Sequence, residues 1–430
     1  MSILLENISI IPMTGSANFI EKGYLVLDGQ FIKQVGRGEA PVGNHEVIID
    51  GTNRVVLPGL VNAHTHAAMT LLRSYADDMP LMEWLETKIW PLEEKLTGED
   101  VYWGTMLAIT EMIKSGTTCF ADMYFFMDQA AQAVEKSGIR AVLSRGMVGV
   151  GPSAELALTE SSELVGKWHR RAKNRITVML GPHAPYTCPP KYLRQVIDLA
   201  SELGMALNIH IAETVGERED MIRMYGKSPV KHMETCGLFE RAVLAAHCVH
   251  VDEEDIAILK KYQVGVVHNP ESNMKLASGI APVPEMLAAG IPVALGTDGA
   301  SSNNNLDMLG ELRTAAFLHK VNTMNPVVLP AYQALEMATV NGGIALGLEQ
   351  EIGQLKAGMK ADMIILNLEQ AHMIPRYDIV ANIVYSGQAS DVETVIIDGQ
   401  IIMQDRRILA FDEKEVLNQA KKCAERLVNA

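Results

Sequence analysis

Two histidines one residue apart, His64 and His66, close the apolar run Pro58-Gly59-Leu60-Val61-Asn62-Ala63-His64-Thr65-His66. Side chains two apart on a β-strand share a face, so both imidazoles can reach one point at the strand's end. A metal ion suits that point, although an isolated pair of this kind fits a core or surface role at least as well. Later apolar runs supply the missing company. Ala206-Leu207-Asn208-Ile209-His210 and Val243-Leu244-Ala245-Ala246-His247 each end in histidine, and Pro292-Val293-Ala294-Leu295-Gly296-Thr297-Asp298 ends in aspartate. The simplest ligand set is His64, His66, His210 and Asp298, with water completing the shell. Mixed imidazole and carboxylate ligands suit Zn2+ or Fe2+. Such a dication lowers the pKa of its water from about 15.7 to near 7, so the expected chemistry is hydrolytic.

A purely structural metal would need no acid–base groups beside it, yet two are present. Glu213 follows His210 by three residues in His210-Ile211-Ala212-Glu213-Thr214, where a strand gives way to a loop. As a protonated acid it can donate to a ring nitrogen of a heteroaromatic substrate. The competing role is a surface or helix-capping glutamate. His247 can orient the attacking hydroxide or stabilise charge developing on it, and alone it would pass for a core histidine.

These residues need elements that deliver them to one place. Apolar runs end near His66, Asp122, Arg145, His183, His210, His247, His268 and Asp298, with helical stretches such as Glu99 to Lys114, Pro190 to Leu203, Glu253 to Lys261 and Val283 to Ala289 between them. Eight runs alternating with helices predict an α/β fold, most economically a closed (β/α)8 TIM-like barrel over residues 58–355, with a doubly wound open sheet as the competitor. In such a barrel, active residues collect at the carboxyl ends of the strands. No glycine-rich dinucleotide fingerprint follows the early strands. The two ends of the chain read differently. Asp28-Gly29 and Asp398-Gly399 each sit between apolar runs, which signals tight hairpins. Segments 1–57 and 356–430 are too short for separate cores, so they predict one composite β-sandwich domain with a C-terminal amphipathic helix over about 412–427.

The 430 residues are 48% hydrophobic and 21% charged, as in a soluble globular protein, and carry a formal net charge of −15. That charge disfavours nucleic acid and anionic membrane as partners, but not a small neutral or cationic substrate. No basic leader precedes an apolar stretch and no apolar run is long enough to span a bilayer, so the expected location is cytoplasmic. Five cysteines, Cys119, Cys188, Cys236, Cys248 and Cys423, form no Cys-x-x-Cys pair. Free thiols are expected, and a cysteine-rich zinc module is disfavoured.

The Pro-Gly-Leu-Val-Asn-Ala-His-Thr-His, His-Ile-Ala-Glu-Thr, Ala-Ala-His-Cys-Val and Leu-Gly-Thr-Asp-Gly-Ala segments, in this order, resemble the amidohydrolase superfamily. More closely, the chain is similar to the 5′-methylthioadenosine/S-adenosylhomocysteine deaminase family over nearly its whole length. The resemblance implies metal ligation by His64, His66, His210 and Asp298, acid–base work by Glu213, and hydroxide orientation by His247. Binuclear relatives carry a bridging lysine at the end of the fourth strand, where this chain has Val178-Met179-Leu180-Gly181-Pro182-His183, so one divalent ion per chain is expected, Zn2+ before Fe2+. The implied reaction is hydrolytic deamination of an adenine ring: Glu213 protonates N1, activated water passes a proton to Asp298 and attacks C6, and ammonia leaves. Family substrate contacts fall on Glu93, Arg145 and His183. Ser302 is expected near the base, with a loop or helix-cap role as its alternative.

The implied substrates are methylthioadenosine, S-adenosylhomocysteine and adenosine. No arginine occurs in residues 147–160, where some relatives place one, so the thioether with a carboxylate holds no advantage over the other two. A related amidohydrolase acting on guanine, a triazine or another N-heterocycle is the alternative enzyme, and a non-catalytic metal-dependent binding protein is the alternative of another class. His232, His250, His268 and His319 are expected to be structural. The stretch from Met79 to Trp90 walls the pocket or lies as an amphipathic helix on the barrel surface. Self-association into a homo-oligomer is left open.

Overall fold

A computed structural model describes residues 1–429. Eight strands form one all-parallel sheet: β6 (Leu60–Thr65), β7 (Thr117–Tyr124), β8 (Arg140–Met147), β9 (Ile176–Pro182), β10 (Leu207–Ile211), β11 (Val243–His247), β12 (Gly265–His268) and β13 (Val293–Leu295). They follow sequence order around the barrel, and helices fill the intervals. Every strand end lies close to the position expected from the apolar runs, the largest offset being Asp298 against Leu295. Val61, Ala63, Cys119, Ala121, Val142, Leu244, Val267 and Ala294 pack inside, and Leu346, Leu348 and Ile352 plug one end.

No strand ladder joins β13 to β6 among the described residues; side chains close the seam instead. The Asn62 carboxamide donates to Thr297 Oγ1 at 2.8 Å and accepts the Thr297 N–H at 3.0 Å. The Asp298 N–H then donates to the His64 carbonyl at 3.0 Å, which brings the first and last catalytic strand ends together.

The helices between strands have defined starts and stops. Thr97 and Asp100 make a reciprocal capping box at the start of Gly98–Ser115, as do Asp252 and Asp255 at Glu253–Lys261. The helix Pro190–Leu203 coincides with the segment expected from its periodicity. Leu81–Glu93, by contrast, is an unbroken helical segment with a π-helical turn at Leu85–Ile89. It buries Trp84, Ile89 and Leu92 while Met82 stays exposed, so it packs on the barrel through one face.

The ends of the chain build the second sheet from β1 (Ser2–Ile10), β2 (Ile20–Asp28), β3 (Phe31–Arg37), β4 (Val47–Asp50), β5 (Arg54–Pro58), β14 (Met363–Asn367), β15 (Val392–Ile397), β16 (Gln400–Gln404) and β17 (Arg407–Ile408). All nine strands are linked by hydrogen bonds in a single sheet, the composite domain expected from the two chain ends. The sheet curls far enough for its two hairpin turns to touch. A Cβ on Gly399 would meet the Gly29 carbonyl oxygen at 1.8 Å, and Gly399 also holds φ +71°, so only glycine fits this turn. Ile3, Leu5, Leu25, Leu27, Met363, Ile365 and Ile396 fill the enclosed core. The helix Glu413–Asn429 follows.

A buried ion cluster fastens this sheet to the barrel. Arg140, the first residue of β8, donates to both Asp362 oxygens at 2.7 and 3.1 Å and lies 3.5 Å from Asp398 Oδ1. The Asp398 N–H donates to Asp362 Oδ1 at 2.7 Å. All five cysteines are free thiols. No helix among the described residues is long and apolar enough to cross a membrane.

Candidate active site

The expected ligands converge at the carboxyl end of the barrel. His64 Nε2 and His66 Nε2 stand 3.5 and 3.4 Å from the same oxygen, Asp298 Oδ1. His66 Nε2 and His210 Nε2 are 3.3 Å apart. Each of these two rings has its other nitrogen beside a carbonyl: His66 Nδ1 lies 2.6 Å from Met123 O, and His210 Nδ1 lies 2.7 Å from His183 O. A carbonyl accepts only, so both Nδ1 atoms carry the proton in the neutral rings. The two Nε2 lone pairs therefore face each other beside a carboxylate. Both ring nitrogens of His64 are buried with no hydrogen-bond partner. Burial pushes the His64 pKa down to about 4, against the opposing pull of Asp298, so its imidazole is neutral. A set of lone pairs crowded on one point, with no protein donor to satisfy them, fits a bound cation.

The backbone at this rim is bent to aim side chains inward. Ala212, His247, Cys248 and Asp298 have φ of +54°, +74°, +47° and +63°, left-handed values that non-glycine residues rarely adopt. Each costs on the order of 1 kcal/mol or more, and such strain concentrates at working sites. Asp298 is steadied by its surroundings: Ser272 Oγ donates to its Oδ2 at 2.7 Å, Ser302 Oγ to the same oxygen at 3.0 Å, and Gly299 N–H to its Oδ1 at 2.8 Å. The Ser302 hydroxyl, expected near the base, bonds to the Asp298 carboxylate. Four residues on from Asp298, it folds back over the carboxylate.

Glu213 and His247 face each other, with Oε2 and Nε2 3.8 Å apart. Burial, reinforced by Asp298, raises the Glu213 pKa against the pull of His247. For His247, burial acts downward but the Glu213 and Asp298 carboxylates outweigh it, and the net shift is upward. Both shifts favour the protonated form, so the pair retains a proton toward neutral pH. Asn273 Oδ1 accepts from His247 Nδ1–H at 3.0 Å, with Asn269 Nδ2 3.2 Å from the same nitrogen. His247 also lies close enough to His64 and His210 to form a second possible ligand triad with them.

His66, Glu93, His183 and Tyr186, all half-buried, flank the ligand cluster. Glu93, at the end of the Leu81–Glu93 segment, faces the Tyr124 hydroxyl, and burial raises its pKa despite that bond. His183 is held by Thr187 Oγ1 3.0 Å from its Nδ1, and the Tyr186 ring packs edge-on at 6.0 Å. Arg145 is occupied elsewhere: its Nε donates to Glu160 at 2.7 Å, and its guanidinium lies over the Phe125 ring at 5.1 Å.

Sequence reasoning did not single out Tyr124, Tyr186, Asn269, Asn273 or Ser272. Only the Asn-x-x-Ser-Asn spacing of 269–273, just after the β12 histidine, offered a signal. Four further histidines find their partners away from the ligand cluster. His232 stacks on Tyr225 at 3.9 Å, His250 Nε2 meets Ser278 O at 2.6 Å, and His268 Nε2 lies 3.1 Å from His319 Nε2.

The amidohydrolase family model matches residues 55–402. A Syntrophomonas wolfei protein described as a 5-methylthioadenosine/S-adenosylhomocysteine deaminase is 68% identical over 429 residues, covering 100% of both chains. A Pelotomaculum thermopropionicum protein of the same description is 55% identical, covering 100% of this chain and 99% of the other. Among solved structures, an adenosine deaminase from Xanthomonas campestris with bound zinc superposes with a TM-score of 0.95 at 33% identity, over 100% of this chain and 99% of that one.

Proposed function

The chain belongs to the amidohydrolase family, and from that premise we propose that it is a metal-dependent aminohydrolase of adenosine-type nucleosides. It converts 5′-methylthioadenosine, S-adenosylhomocysteine or adenosine to the inosine analogue and ammonia. The observation that carries this reading is the pairing of Glu213 with His247 at 3.8 Å beside a converging His64, His66, His210 and Asp298 set. A binding protein would need the second group but not the first.

His64, His66, His210 and Asp298 would hold one divalent ion, Zn2+ in preference to Fe2+. When bound, that ion supplies Lewis acidity that makes water a nucleophile near neutral pH. The remaining work belongs to side chains. Glu213 donates its proton to N1 of the adenine ring, which withdraws electrons from C6. His247 holds the attacking water through Nε2, and Asp298 accepts its proton as the oxygen adds to C6. The C6–N bond then breaks as Asp298 returns its proton to the amino group, which leaves as ammonia, while the C6 hydroxyl becomes the carbonyl by giving its proton back to Glu213. Water is thereby consumed and ring aromaticity restored.

Glu93 is the proposed ribose anchor, because a carboxylate accepts from two vicinal hydroxyls without needing to donate. His183 lies beside the imidazole cluster, its ring 5.0 Å from that of His210. Arg145 joins them only by exchanging Glu160 for a substrate oxygen. Ser302 acts on the base through Asp298. A cytoplasmic location and self-association are consistent with the charged surface, and neither is required by the mechanism.

Two measurements test this reading. Metal analysis of the purified protein is expected to give about one ion per chain, with activity lost on chelation and restored by zinc. Glu213→Gln is expected to lower kcat by about 100-fold or more. A metal-free active protein, or a Glu213→Gln variant within about threefold of the parent, would overturn it.

A further inference from the structure

One buried carboxylate beside the site has no part in the reaction just described. Glu217 lies in the first turn of the helix Val215–Tyr225, where Thr214 caps the helix by accepting the Glu217 N–H at 3.1 Å. A Thr-x-x-Glu sequence ordinarily completes a capping box by returning the glutamate to the cap residue's own amide. Here the carboxylate reaches further back along the chain. Its Oε1 accepts the Ala212 N–H and its Oε2 the Glu213 N–H, each at 2.9 Å. Only 7% of Glu217 is exposed.

The peptide so gripped is the left-handed one. Ala212 has φ +54°, and its carbonyl accepts the N–H groups of Val249 and His250 at 3.0 and 2.9 Å. The turn that launches Glu213 is therefore held on its amide side by Glu217 and on its carbonyl side by the turn that follows His247. Left unsupported, an alanine in this conformation would relax, because nothing in its own side chain favours it.

We propose that Glu217 is the positioning residue of the acid: by bridging two consecutive amides it locks the turn that aims Glu213 at His247 and the substrate ring. The proposal rests on the reading of Glu213 as the proton donor. A carboxylate suits the task because it offers an acceptor to each N–H and brings no donor of its own. Glutamine has one oxygen, and its NH2 would confront the second amide. Aspartate keeps both oxygens but is one methylene shorter. Burial, with Glu213 nearby, pushes the Glu217 pKa up to about 7 even though both amides hold it down, so this carboxylate is costly to keep beside an acid.

The test uses the metal-loaded full-length enzyme. Glu217→Gln is expected to lower kcat at least about tenfold, with KM within about threefold and metal content unchanged. Glu217→Asp, which favours the start of the helix electrostatically, is expected to change kcat in the same direction, and it serves if the glutamine variant does not fold. On a Glu213→Gln background, Glu217→Gln is expected to slow the reaction by less than about twofold further, because a residue acting through Glu213 has nothing left to position. Two results overturn the proposal: both Glu217 variants within about twofold of the parent, or the full loss from Glu217→Gln reappearing on the Glu213→Gln background. Glu213→Gln alone distinguishes the two readings. If it remains active, the acid assignment fails and takes this proposal with it. If it is inactive while the Glu217 variants match the parent, only the positioning role fails.

Discussion

Asn62 and Thr297 close the barrel: one carboxamide donates to the threonine hydroxyl at 2.8 Å and accepts its backbone N–H at 3.0 Å. The closure lies two residues before His64 and one before Asp298, whose carboxylate His64 and His66 share. Asn62→Leu strands the buried Thr297 N–H, at a cost of about 1–3 kcal/mol, while the Thr297 hydroxyl keeps its bond to the Asp298 carbonyl. It also loosens the seam across which the metal ligands meet. The expected result is a Tm lowered by several degrees together with zinc affinity weakened about 10-fold or more, read by competition with a chelator. Unchanged zinc affinity would show that the ligands hold their geometry without the seam.

Asp362 carries the opposite expectation, because it works at the far end of the barrel. It pairs with Arg140 through both carboxylate oxygens, with side chains 1% and 2% exposed. Removing Asp362 leaves the buried Arg140 guanidinium only its longer contact to Asp398 and takes the acceptor from the Asp398 N–H, which costs about 3–5 kcal/mol. Asp362→Ala should therefore lower stability by that amount in urea, while kcat and KM of the folded fraction stay at parental values. A kinetic defect without a stability loss would contradict the clamp's placement.

These two cases show what was legible before the structure. His64, His66, His210, Glu213, His247 and Asp298 lie at strand ends in apolar surroundings, so periodicity alone brought them together. The same logic located the eight barrel strands. Asn62 could not be read this way, because its partner Thr297 is 235 positions distant and contributes a backbone amide, which has no sequence signature. Glu217 was hidden for a related reason: it bonds to main chain. Tyr124 and Tyr186 sit in runs where an aromatic residue reads equally well as core. Arg145 and Ser302 were identified by position, but position does not reveal that Glu160 and Asp298 are nearer partners.

The buried pair His268 and His319 makes stability depend on pH. Burial pushes the His319 pKa down to about 4 and His268 well below its ordinary value. The unfolded chain, with histidine pKa near 6.5, then binds more protons than the folded one below that pH. Stability is complete above about pH 6.5 and falls as pH drops toward 4. His319 alone should account for about 2 kcal/mol of loss between pH 7 and pH 5, measured by denaturant titration. His319→Asn should flatten that dependence by a similar amount. Equal slopes in the two proteins would show that His319 already holds a proton in the fold.

Glu93 is expected to act on binding of the sugar. Glu93→Ala should lower kcat/KM for methylthioadenosine by about 100-fold or more, since two charge-assisted hydrogen bonds are lost. A 2′,3′-dideoxy substrate should show almost no difference between the two enzymes. Equal losses for both substrates would place Glu93 away from the ribose. Tyr124→Phe should also lower kcat/KM, by a smaller factor, as its hydroxyl faces the Glu93 carboxylate.

Ammonia release from a panel of substrates tests the central claim most directly. With zinc-loaded protein, methylthioadenosine, S-adenosylhomocysteine and adenosine are the compounds to compare with guanine, cytosine and a triazine. The account predicts ammonia in equal amount to an inosine-type product from at least one adenosine derivative, at rates well above those for the other rings. Ammonia from guanine or the triazine, with none from any adenosine derivative, would contradict it.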